Sequence, residues 1–362
     1  MLNFNTAVNL YKNDKIQELA GTDEGMRFLK LRSLSRKKHL DYLIRKFEVE
    51  VGNLKSAQWL QFIYESAIQL EDIDDIIQEL FEEERKIRRD NEQQLINELY
   101  KIQSFDWGGL HQNSLETTIV NKYVKQITSY ESLQNEIEGD LHKSLRAYVV
   151  ASWYNHWSSI IIEDIFKEHV NVIPAIGQIK KIDFFVNNKP FDLKVTYLPE
   201  GYIKDHRKSR GFRPELTLMK GLARELDIGF DKSATDSILI PDLWRKLDDN
   251  PHRNARKLIR ELQKYRETLL DDCIANSEPL VRWLYENQGT RRFDASNRLF
   301  LVLVDKSDFF NSWKLKRARS LISEHVTNYL TEVGQDIGFQ LDFLWEGEPY
   351  STEADVIFVI KQ

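Results

Sequence analysis

Cysteine is nearly absent from this chain: Cys273 is the only one in 362 residues. An intramolecular disulfide framework and every cysteine-cluster zinc site are thereby excluded, a reducing, cytoplasmic setting is expected, and the thiol, with no motif around it, reads as buried and inert. Glycine and proline are also scarce, at 15 and 8, which excludes a collagenous or linker-dominated protein. No apolar run approaches the roughly 18 residues of a membrane span. The opening MLNFNTAVNLYKNDKIQELA has no apolar stretch behind a basic head, so neither a secretory leader nor a membrane partner is expected. Also missing are a GxxxxGK[ST] phosphate loop, an HExxH pair and a GxSxG elbow, which removes the commonest nucleotide-engine, zinc-protease and serine-hydrolase readings.

What is present suits a folded body. Hydrophobic residues make up 41%, charged residues 30%, and the aromatics include 19 Phe, 14 Tyr and 8 Trp, so wholesale disorder is excluded. The formal net charge of -6 argues against non-specific coating of nucleic acid. It leaves room for a local basic cleft, because charges act over a Debye length of roughly 8–10 Å.

Along the chain, Trp59, Leu60, Ile63, Ile68, Leu70, Ile73, Ile76, Ile77, Leu80 and Phe81 recur at helical spacing. The pattern runs on without Gly or Pro to about residue 103, which predicts one long amphipathic helix or a helical pair. Glu82–Glu84 before Arg85, Lys86, Arg88 and Arg89 reads as a solvated helix face. Earlier, Arg27, Lys30, Arg32, Arg36, Lys37, Lys38, Arg45 and Lys46 form a basic stretch. It suits either a phosphate-contacting surface or pairing with the acidic stretch 71–84. A turn-rich segment at 104–109 divides an α-helical region, 1–105, from a mixed α/β domain, 106–362. Helices are expected at 114–129 and through 141–166, then strands at 172–176, 182–186 and 191–198, helices at 214–226 and between 242 and 265, and strands at 298–305, 339–345 and 355–361.

The chemistry concentrates in one place. A short turn at 187–190 joins two strands and brings Asp183 near Asp192-Leu193-Lys194. Residues 192 and 194 lie on one face of a strand, with Leu193 turned to the core. Two carboxylates beside hydrophobic walls need a cation, because an unpaired buried carboxylate costs several kcal/mol. Mg²⁺ (Mn²⁺ can substitute) takes such oxygen ligands and is suited to phosphodiester hydrolysis, with the lysine orienting or deprotonating the attacking water. On the preceding helix, Glu163 sits among apolar residues, as a ligand or a salt-bridge partner, with Asp164 and Glu168 as fallbacks.

Ile182-Asp183 followed by Asp192-Leu193-Lys194, after the helical Glu163, resembles the PD-(D/E)XK nuclease superfamily. Position 182 is isoleucine where the motif name has proline. The resemblance covers residues 140–305. It implies a restriction-endonuclease-like core, a central mixed β-sheet flanked by helices, preceded here by the α-helical region. It further implies Asp183, Asp192 and Glu163 as Mg²⁺ ligands and Lys194 as the residue acting on water. The expected substrate is double-stranded DNA, in a restriction or phage-defence role, with a homodimer to cut both strands and a possible partner protein of a defence system. The basic segment 204–213, with Lys204, Arg207, Lys208, Arg210 and Arg213, reads as a phosphate-gripping loop. Arg253, Arg256, Lys257, Arg260 and Lys264 recur on a helix; Arg291, Arg292, Lys314, Lys316, Arg317 and Arg319 are weaker candidates. The alternatives are a nuclease-like scaffold that binds without cutting, and a nuclease for RNA or branched DNA.

Overall fold

A computed structural model describes residues 2–104, 119–177, 179, 181–287, 297–332, 337–345 and 347–362. The first hundred residues are helical: α1 (Phe4–Lys12), α2 (Ile16–Ala20), α3 (Asp23–Ser33), α4 (Lys37–Lys46), α5 (Ser56–Tyr64) and α6 (Leu70–Tyr100). Starts are set by side-chain caps: Asn3 accepts from the Thr6 amide at 2.9 Å, and Thr22 accepts from the Gly25 amide at 3.0 Å. Of the two helical readings from residue 59 onward, the pair is found, because the chain breaks after Tyr64 before α6 runs for 31 residues. The turn expected at 104–109 and the first part of the helix expected at 114–129 lie largely outside the described residues. From 120 the backbone forms a short π-helix, Val120–Val124. Next come α7 (Tyr130–Glu136) and α8 (His142–Lys167).

Six strands then make one open, mixed sheet: β1 (Val172–Pro174), β2 (Phe184–Val186), β3 (Lys189–Tyr197), β4 (Asn297–Asp305), β5 (Phe339–Trp345) and β6 (Glu348–Lys361), in the order β1-β2-β3-β4-β6-β5. The first three form an antiparallel meander. Strands β3, β4 and β6 run parallel, and β5 closes the edge antiparallel to β6. Between β3 and β4 lie α9 (Glu200–Ser209), α10 (Glu215–Glu225), α11 (Asp236–Asp248), α12 (Arg253–Ala275) and α13 (Glu278–Asn287); α14 (Arg319–Glu332) precedes β5. Every residue of β4 is buried, as a central parallel strand covered on both faces requires.

The chain forms two compact units. The first comprises Met1–Gln93, Ile161–Leu198 and Cys273–Gln362, and the second Gln94–Ile160 and Pro199–Asp272. This division differs from the one expected at residue 105: the N-terminal helices belong with the sheet. Ile16, Phe28, Leu29, Ile73 and Ile76 share a core with Phe185 and Ile182 of the meander. A second core packs Ile162, Ile165 and Phe166 of α8, with Ile322 and Val326 of α14, on Phe184, Phe191, Leu193 and Leu301. The basic stretch in α3 and α4 pairs inward with α6: buried Lys30 with Asp74 at 2.7 Å, Lys38 with Glu84 at 2.9 Å, and Lys46 with Glu79. Pairing, rather than a phosphate surface, is what these lysines do. Among the described residues no helix is long and apolar enough to cross a membrane. Cys273 is buried.

Candidate functional site

The hairpin that aims the site residues is closed by Asn187 and Asn188, at φ 50° and 59°. Two successive left-handed residues make the tight loop whose twist matches paired strands, and asparagine tolerates that backbone better than other residues with a side chain. The register follows: Phe184 opposes Phe191, and one step further Asp183 comes opposite Asp192. The Asp183 amide donates to the Phe191 carbonyl at 2.8 Å, and the Leu193 amide donates to Asp183 Oδ2 at 2.8 Å. The Asp183 carboxyl therefore stands where the sheet ladder would otherwise continue.

Asp192 is 7% exposed, and cations hold both of its oxygens. Lys194 Nζ donates to Oδ1, and Arg298 Nε lies 3.8 Å from Oδ2. Arg298 is the parallel register partner of Asp192 on β4, is buried, and stacks its guanidinium over the Tyr285 ring at 4.4 Å. Asp183 is differently placed. Burial, and then the charges of Glu163 and Asp192, push its carboxyl up to about 6; the Leu193 amide and Lys167 pull it down by less. Glu163 itself pairs with Lys167 at 2.9 Å, one turn on along α8. The four residues singled out from sequence, Asp183, Asp192, Lys194 and Glu163, are thus neighbours. Arg298 was missed, because only the parallel β3–β4 register brings residues 106 positions apart together.

Among the described residues no three Asp, Glu, His or Cys side chains are gathered closely enough to form a ready metal cage. The donor set nonetheless suits a hard divalent cation. It is all oxygen, and Asp183 carries the mark of carboxylates lacking enough positive charge. Mg²⁺ is commonly held by one or two carboxylates, with water completing the shell. Asp183 and Asp192, with Glu163 alongside, are the residues that would hold it.

The fallback acids serve another purpose. Asp164 receives two bonds from Arg88, at 2.8 and 2.7 Å, and Glu168 is held by Arg85 at 2.6 Å, by Arg89 and by Arg319. Arg85 is fully buried and Arg88 half-buried, so the run 82–89 is only in part the solvated face expected from its charge pattern: Glu82, Glu83, Lys86 and Arg89 are exposed. These arginines fasten the end of α8 to α6, which sets the height of Glu163. Arg317 is buried and Lys316 lies over the Tyr197 ring, on the strand face opposite Lys194. Arg291 and Arg292 lie outside the described residues.

In the second unit, the segment expected as a basic loop is largely helix, α9. Lys204, Lys208, Arg210 and Arg213 are exposed. Arg207 is not a surface group: it is buried, donates to the Arg213 carbonyl at 2.9 Å and stacks over Tyr265 at 4.4 Å. The same unit holds a cavity of about 240 Å³ at the first turns of α9, α10 and α11, lined by Glu200, Lys204, Glu215 and Asp236 among others. Buried Arg266 binds Glu200 through two bonds of 2.8 Å, binds Glu215, and stacks over Trp244. That network occupies Glu200 and Glu215, two of the three acids of the cavity, which gives them a structural role. No family model, curated protein or solved structure matches the chain.

Proposed function

We propose that this chain is a metal-dependent nuclease hydrolysing phosphodiester bonds in DNA, with a restriction-endonuclease-like core and a restriction or phage-defence role in the cytoplasm. The observation that carries the reading is the Asp183 carboxyl, raised to about 6 in a buried spot shared with Asp192 and Glu163. A buried carboxyl facing Asp192, with the charge of Glu163 also felt, has little use to fold stability, whereas cation binding has one for it. The element order supports it: helix α8, an antiparallel meander with an acid before its second strand, Asp-x-Lys on the third, helices, and β4 parallel to β3.

A bound Mg²⁺ (or Mn²⁺) supplies charge neutralisation at the phosphate and acidification of a bound water. Asp183 and Asp192 would hold that ion, and Glu163 would add a third oxygen donor. Lys194, with its side chain 44% exposed, can turn from Asp192 toward the attacking water or the scissile phosphate. Arg298 is too buried to reach substrate and stays on Asp192, holding its carboxylate in place. Duplex DNA is the favoured substrate, with two copies of the chain supplying one site per strand.

A second reading has its own support. Asp192 already has two cations and no ready metal cage exists among the described residues, as in a nuclease-like scaffold that binds without cutting. The experiment that separates the two is cleavage of supercoiled plasmid and phage DNA in Mg²⁺, in EDTA, and with Lys194→Ala. Cutting that needs Mg²⁺ and vanishes in the variant supports the enzyme. Absence of cutting on duplex, single-stranded, branched and RNA substrates supports the scaffold.

A further inference from the structure

Helix α12 carries five exposed cations, Arg253, Arg256, Lys257, Arg260 and Lys264. At 100° per residue they fall within an arc of about 100° and span about 16 Å of axis. The buried positions, Ala255, Ile259, Leu262, Arg266 and Leu269, lie on the opposite side, so the cations form one continuous outward row. Two acids relieve it in part: Glu261 at its margin, 3.8 Å from Lys257, and Glu267, inside the arc three residues beyond Lys264.

This row works against the helix that bears it. The first turn of α12 contains no acid, and Arg253 and Arg256 stand at the positive end of the helix dipole. Like charges three and four residues apart repel. Within the chain the row meets only one weak ion pair, Lys257 with Glu261, and backbone carbonyls that accept from Arg256 and Arg260, among the described residues; five like charges held this way mark a surface suited to an external anion.

The shape of the row selects the anion. A straight line of cations over about 16 Å fits a linear polyanion whose charges repeat every few ångströms. The face has no apolar residue to enter a bilayer, which a membrane-bound helix requires. Nearby, α9 meets α12 where His206 Nδ1 lies 2.8 Å from the Tyr265 hydroxyl, and Phe212, 52% exposed, packs edge-on to Tyr265 at 5.9 Å. An exposed ring beside a cation row is the pairing used to stack bases next to a gripped backbone.

We propose that the outward face of α12 is a nucleic-acid backbone grip, a sequence-independent docking surface for the polymer that the nuclease reading makes the substrate. The proposal rests on that reading for the identity of the polymer. The test is fluorescence anisotropy with labelled duplex DNA, single-stranded DNA and RNA in EDTA, using the full chain over a series of salt concentrations. The variant is Arg256→Gln, Lys257→Gln, Arg260→Gln combined, with Phe212→Ala measured separately. The triple variant is expected to bind at least about tenfold more weakly on every sequence and to lose about 2–3 from the slope of log affinity against log salt. Its thermal midpoint should hold or rise, because repulsion has been removed, which separates lost binding from lost folding. Phe212→Ala should weaken single-stranded binding more than duplex binding. Unchanged affinity and salt slope in the triple variant would overturn the proposal, as would a loss confined to heparin. Asp192→Asn separates the two readings: it should bind as the parent does and not cut. Binding lost only in the triple variant, with no cutting by the parent, would leave the grip standing and remove the nuclease.

Discussion

Asp192 and Arg298 face each other across the parallel β3–β4 pair, Oδ2 to Nε at 3.8 Å, with the guanidinium pressed on Tyr285. A buried carboxylate loses its hydration, and this arginine restores part of that stabilisation from a strand more than a hundred residues away. Truncating it as Arg298→Met leaves Lys194 as the remaining cation on Asp192. The expected cost is about 1–3 kcal/mol in urea unfolding, together with a fall in Mg²⁺-dependent cutting. Full stability in that variant would show that the pair contributes nothing to the site.

Lys194 and Arg298 play different parts although both touch Asp192. Lys194 is the more exposed, and its side chain is free to swing. Lys194→Met should abolish cutting by about 10²-fold or more while preserving the rise in thermal midpoint produced by Mg²⁺. Loss of the metal response along with the cutting would make Lys194 part of the binding site instead.

The raised Asp183 carboxyl has a stability signature. The folded chain holds this proton more tightly than the unfolded chain, at about 6 against an ordinary 3.8. The stability it confers is therefore complete below the lower value and is lost as pH rises through the upper one. Above it the ionised group costs on the order of 2–3 kcal/mol. Asp183→Asn, whose amide oxygen can still accept from Leu193, should raise the metal-free thermal midpoint at about pH 7.5 and leave it nearly unchanged at about pH 4. Equal shifts at both pH values would remove the electrostatic account. Mg²⁺ should stabilise the parent and not this variant.

Arg266 anchors the second unit. Burial acts to lower its pKa, and Glu200 and Glu215 more than reverse that, so the guanidinium stays charged in a buried place. Removing it as Arg266→Met strands Glu215, which is 4% exposed, with no opposing charge; the expected loss is about 3–5 kcal/mol by urea unfolding. A triple change that also replaces both glutamates by glutamine should recover much of that loss, since the penalty comes from the stranded acids.

Much of the meander was legible because its signals are local. Alternation of Phe184 and Val186 before a turn at 187–190 specifies a hairpin that brings Asp183 near Asp192; the structure tightens that turn to Asn187-Asn188, with Lys189 and Pro190 already in β3. The same locality explains the errors. The charged run 82–89 looks like a solvated face because helix periodicity does not reveal that Asp164 and Glu168 come to meet it. The segment 204–213 looks like a loop because it is basic, although α9 runs through Ser209 and Arg207 is buried beneath Phe212 and Tyr265.

The sequence by itself determined the helical character of the first hundred residues, the strands of the sheet, the hairpin and the face shared by residues 192 and 194, since these depend on spacing and backbone preference within a few residues. Only the tertiary structure decided that the N-terminal helices join the sheet unit, that Arg298 guards Asp192, and that Asp183 is pushed toward neutrality. Those outcomes depend on burial and on charges brought together from distant parts of the chain. A pKa or an ion pair is set by that sum, which no local pattern contains.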